Sequence, residues 1–148
     1  RILVDDSAGG AGPGWGFGTE GASTLRFFNR SVDPVSFDLT WTLSSNTWYF
    51  VVAVHDAVNK RRKIYLYNTS ASLLASSSGT YTGTFQAGSG ATGIGGNDWD
   101  TLFFHGNLDE VKVFDAALSA NMLPSVLSMK STCPGARANR YLYQRENF

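Results

Sequence analysis

The chain has 148 residues, enough for one domain with a sizeable core and too few for two. Twelve basic residues balance twelve acidic ones, so there is no net field of the kind that recruits nucleic acid or an anionic membrane. Aromatics reach 14% and charged residues only 16%, which excludes disorder, and no run approaches the roughly 18 apolar residues of a membrane span.

The chain opens at Arg1, with no initiator methionine, and enters an apolar stretch directly, Ile2-Leu3-Val4. This reads as the start of a strand in a piece of a longer protein. Trp15 stands between Gly14 and Gly16 and is expected as a core ring in a glycine-permitted turn. Ser23 to Asn29 reads as a strand, followed by a turn reaching Pro34. From Val35 to Leu43 large apolar residues alternate with polar ones, the period of a half-buried strand. Trp48 to His55 is apolar on both faces, which predicts a central strand covered on both sides. Asp56 to Lys60 is a polar turn, and Arg62 to Tyr67 returns as the second arm of a hairpin.

Residues 76–96 are rich in Gly, Ser and Thr but are broken by Tyr81 and Phe85, so short strands with turns are expected there. Thr101 to Phe104 and Asn107 to Asp115 read as the last strands. Ala116 to Leu127 is the one helical stretch. Ser119 is its N-cap, and Pro124 limits it to a short or kinked helix. The domain is thus expected over residues 1–129, with 130–148 as an irregular tail or docking arm. One cysteine, Cys133, excludes an internal disulfide and a cysteine-built zinc site. Short strands, glycine turns and one late helix specify an all-β fold, a two-sheet antiparallel jelly-roll sandwich with one short C-terminal helix.

Three segments carry a family resemblance. They are Asn46-Thr47-Trp48-Tyr49-Phe50-Val51-Val52-Ala53-Val54-His55-Asp56, then Lys63-Ile64-Tyr65-Leu66-Tyr67-Asn68, then Phe104-His105-Gly106-Asn107-Leu108-Asp109-Glu110-Val111-Lys112-Val113-Phe114 followed by Ala116-Ala117-Leu118-Ser119. In order and spacing they resemble the laminin-G-like and concanavalin-A-like jelly-roll domains, over roughly Ile2 to Leu127. The family has several strands before the point at which this chain begins. The resemblance therefore implies that other chains, or the rest of the same protein, complete the sandwich. Asn68 is followed by Thr69 where the family has glycine.

Related glucanases carry paired glutamates on one strand. Here Glu20, Glu110 and Glu146 are far apart, and Asp109 and Glu110 are adjacent in an expected strand, so they point to opposite faces. No catalytic residue is expected. The resemblance implies that Asp109 could bind a structural calcium, which needs six to eight oxygens; otherwise it caps a strand. A second acidic loop, Asn97-Asp98-Trp99-Asp100, combines an aromatic ring with polar neighbours and is the candidate ligand loop, set against a solvated turn. Lys60-Arg61-Arg62-Lys63 is the only charge run. It reads either as an anionic-glycan site or as a solvated hairpin tip. Asn29-Arg30-Ser31 and Asn68-Thr69-Ser70 are glycosylation sequons.

The resulting expectation is a non-catalytic, lectin-like module, secreted or at the cell surface. Its partners would be carbohydrate or an extracellular protein, with no nucleic acid and no membrane insertion. The alternative is a building block of an extracellular filament, coat or appendage.

Overall fold

A computed structural model describes residues 2–6, 13–88, 92–96 and 103–128. Ten strands and one helix occur in the described residues. A five-stranded antiparallel sheet has the order β10-β1-β2-β3-β5, built from β1 (Leu3–Asp6), β2 (Gly14–Thr19), β3 (Thr24–Asn29), β5 (Ser36–Thr40) and β10 (Gly93–Ile94). A three-stranded antiparallel sheet has the order β6-β7-β8, from β6 (Phe50–Asp56), β7 (Arg61–Tyr67) and β8 (Leu73–Thr80). Two short strands, β4 (Val32–Asp33) and β9 (Thr82–Gly83), pair beside them.

Register puts Leu3, Phe17, Phe27 and Phe37 opposite one another across four strands. Phe17, Phe27 and Phe37 look inward to the core, and the rings of Phe17 and Phe27 meet edge to face at 6.3 Å. The second sheet answers with Ile64 and Leu66 of β7, both fully buried, and with Val51 and Ala53 of β6. β5 lies over β7 and β8. A second cluster forms on the far face of β6 and β7, where Val54, Tyr65 and Tyr67 pack with Leu123. Leu123 opens the helix α1 (Leu123–Ser128).

Several expectations need correction. β6 is a strand, but among the described residues it lies at a sheet edge, and β7 is the central one. Its apolar residues on both faces serve the two clusters. Trp15 lies inside β2 and not in a turn. Its glycine neighbour Gly16 leaves room for the Phe28 ring, which would clash with a Cβ there. Trp48, expected in the core, is 51% exposed. Residues 103–115 carry no strand. Glu110 turns to a φ of 52°, and its N–H donates to Asp109 Oδ1 at 2.9 Å, so the extended path is broken and that amide is withdrawn from any ladder. The helix begins four residues after Ser119, and Pro124 falls in its first turn, where a missing N–H costs nothing. The expected strand residues Thr101 and Leu102, the loop around Trp99, Cys133 and the tail from residue 130 lie outside the described residues.

Candidate ligand-binding face

The basic run is divided by strand alternation. Arg61 is exposed and Lys63 half-buried, while Arg62 has no exposed surface at all. Arg62 shares the parity of Ile64 and Leu66, which face the core, and so its side chain is carried inside. Arg61 and Lys63 share the parity of Tyr65 and Tyr67, which face outward onto the second cluster. Lys60, at a φ of 47°, belongs to the turn.

Cross-strand register adds neighbours to the two outward cations. Arg61 pairs with Thr80 and Lys63 with Ser78, while Tyr65 pairs with Ser76, and all three hydroxyl residues are exposed. On the other side Asp56 pairs with Arg61 and Val54 with Lys63. The Asp56 carboxylate accepts from Asn59 twice, at 3.0 Å from the backbone and 2.8 Å from the side chain. These bonds, helped by Lys63, hold its pKa below the ordinary carboxylate value. The outcome is an open patch with two cations two residues apart, about 7 Å along the strand, beside a row of hydroxyls.

Arg62 holds the interior together. Its Nη1 donates to Val35 O at 2.8 Å and more weakly to Asn29 Oδ1 at 3.4 Å, and Nη2 donates to Pro34 O at 2.6 Å. The guanidinium also lies over the rings of Phe37 and Tyr81, at 5.6 and 5.5 Å. Burial pushes its pKa below the ordinary arginine value, against an opposing effect from Tyr81, yet a guanidinium stays charged in a protein. The anionic-glycan reading of Arg62 is therefore corrected: it cannot touch a ligand on the surface.

Asn29 is corrected for the same reason. It is fully enclosed, so the folded domain has no space for a glycan on its amide. Asn68 differs: half-buried in a turn, it accepts from Ser70 N and Ser72 N through Oδ1.

Beside the patch a shallow recess of about 150 Å³ is lined by Ala57, Lys60, Tyr81, Gly83, Thr84 and Phe85. His55 supports its floor, with Nε2 2.7 Å from Tyr81 Oη and its ring 4.6 Å from that of Phe85. Burial first, then Arg62, lowers the His55 pKa, partly opposed by Asp56. Sequence reasoning missed this group. The only available signal was Tyr81 and Phe85 interrupting a Gly/Ser/Thr stretch.

Asp109 is exposed and spends Oδ1 on the next backbone amide. Glu110 pairs with Lys112. Among the described residues no three His, Cys, Asp or Glu side chains converge as a metal site. Glu20 is paired with Arg26. No described helix is long and apolar enough to cross a membrane.

The family model of the Concanavalin A-like lectin/glucanases superfamily, of laminin-G type, matches residues 1–123. The chain belongs to this family. The two antiparallel sheets are thus those of a jelly-roll sandwich. No curated protein and no solved structure matched the chain.

Proposed function

We propose that this laminin-G-like domain is a non-catalytic, extracellular binding module that takes an acidic polysaccharide on the outer face of β7 and β8. One observation carries this reading: alternation brings Arg61 and Lys63 to one face beside Ser76, Ser78 and Thr80. Fixed cations meet sulfate or carboxylate groups, and hydroxyls bind the ring oxygens and hydroxyls between them. Lys60, on the rim of the aromatic recess, extends the cationic track. Retention on immobilised heparin tests it. Elution should need more salt than from neutral dextran, and Arg61→Ala with Lys63→Ala should abolish the difference. Equal elution of parent and double variant refutes the reading.

A second reading is favoured by the position of β6. A strand apolar on both faces, with a strand on one side only among the described residues, suits addition of a strand from a neighbouring chain or from the rest of the same protein. The domain would then serve as an assembly unit.

A further inference from the structure

The walls of the aromatic recess come from two segments, Ala57 and Lys60 of the β6–β7 turn and residues 81–85 after β8. The Tyr81 N–H donates to Lys60 O at 3.0 Å and joins them. Gly83 pairs with Val32 of β4 at a φ of 87°, where a Cβ would clash with the backbone of Ser31. His55 holds both rings, Tyr81 through its hydroxyl and Phe85 through ring contact. The Arg62 guanidinium backs Tyr81 at 5.5 Å. The walls are therefore pre-arranged, and little side-chain entropy remains to be lost on binding.

Size and chemistry narrow the occupant. A volume of about 150 Å³ is below the roughly 300–1,000 Å³ of pockets for drug-sized ligands. A cavity of that size holds one six-membered ring. Aromatic walls favour a ring with apolar C–H surface, and exposed Thr84 adds a hydroxyl. Burial keeps the His55 pKa below the ordinary histidine value, so this side chain is uncharged at neutral pH. Lys60 is then the one cation among the described lining residues, and no carboxylate is among them. A neutral sugar would leave the ammonium unused, and a small inorganic anion would leave the rings uncovered. An anionic ring uses both.

We propose that this recess binds a single anionic pyranose ring, a uronate or a sulfated hexose, with its charge on Lys60 and its C–H surface against Phe85. The inference rests on the reading of the domain as a binder of acidic polysaccharide. Lys60 adjoins Arg61 in the chain, so the recess continues the cationic border of the outer face and seats one sugar of the polymer.

The test is a titration of the 148-residue protein at constant ionic strength, read by the backbone amide NMR shifts of Lys60, Thr84 and Phe85. Sodium glucuronate, glucose 6-sulfate, glucose, acetate and benzoate are the probes. One or both anionic sugars should shift these amides saturably, at least about ten-fold more tightly than glucose or acetate, and their comparison tells carboxylate from sulfate. Lys60→Met should remove the preference for charge. Ala57→Leu fills the recess from an exposed turn position and should weaken the anionic sugar by a similar factor while the circular dichroism is unchanged. Heparin retention lost with Arg61 and Lys63 reports on the outer face alone, and the free sugar reports on the recess alone, so failure of one is distinguishable from failure of the other. Equal affinity for glucose and both anionic sugars, unchanged affinity in Ala57→Leu, or tighter binding of benzoate than of either sugar overturns the proposal.

Discussion

Arg61 and Arg62 are neighbours in β7 with opposite fates: the first is exposed and the second is completely enclosed. One peptide bond separates a surface cation from a structural one. Their substitutions should therefore separate binding from stability. Arg61→Ala should leave urea-unfolding stability within about 0.5 kcal/mol of the parent while weakening heparin retention. Arg62→Ala should cost about 3 kcal/mol, because it strands the carbonyls of Pro34 and Val35 and opens a cavity. Similar losses of stability from both would contradict the assigned orientations.

His55 makes stability depend on pH. Burial and Arg62 lower its pKa in the folded state, so between that value and the ordinary one near 6.5 the unfolded chain holds more protons. Stability must then rise with pH across this window. Its contribution is complete above the unfolded pKa and is lost as pH falls through the folded one. His55→Gln should flatten the slope of unfolding free energy below about pH 6.5. A slope unchanged in the variant would assign the effect elsewhere.

Both buried polar residues were legible in the chain, but a stronger pattern hid them. Asn29 follows the parity of Leu25 and Phe27, and Arg62 that of Ile64 and Leu66, so alternation alone points each inward. A run of four cations reads as solvated surface, and a sequon reads as exposed, so composition overrode period. β2 was hidden differently. Glycines at 14, 16 and 18 look like turn residues, yet Gly16 is there because the Phe28 ring occupies the place of its Cβ, a cross-strand fact invisible in one strand. β6 shows the opposite limit. Alternation reports which faces of a strand are covered and is silent about its edges, so Val51 to Val54 show two apolar faces without showing that β6 has one neighbour among the described strands.

Asp109 allows a direct check on calcium. Its Oδ1 holds the Glu110 amide, and the described residues supply no further carboxylate cluster. Asp109→Ala should lower Tm by the same small amount with calcium and with a chelator, since only the local hydrogen bond is lost, roughly 1 kcal/mol. A loss confined to calcium-containing buffer would show a bound ion, because a ligand of the native state stabilises only when it is present.

The last prediction concerns β6. Its residues serve both clusters, with Val51 and Ala53 on one side and Phe50, Val52 and Val54 on the other. Its only hydrogen-bonded neighbour among the described residues is β7. The five-stranded sheet is wider than the three-stranded sheet that carries β6. Trp48, just before β6, is half exposed. Each large apolar side chain left in water forgoes roughly 1.5 to 3 kcal/mol, against a total domain stability of about 5 to 15 kcal/mol. Folding of these 148 residues should therefore be coupled to association: a strand reaching the β6 edge supplies both missing cover and the missing ladder. Sedimentation should show species larger than a monomer, and Tm should rise with protein concentration. Hydrogen exchange should find the outward amides of Phe50 to Asp56 slowed on association and fast on dilution. A monomer with a cooperative transition independent of concentration would show that the β6 edge needs no partner.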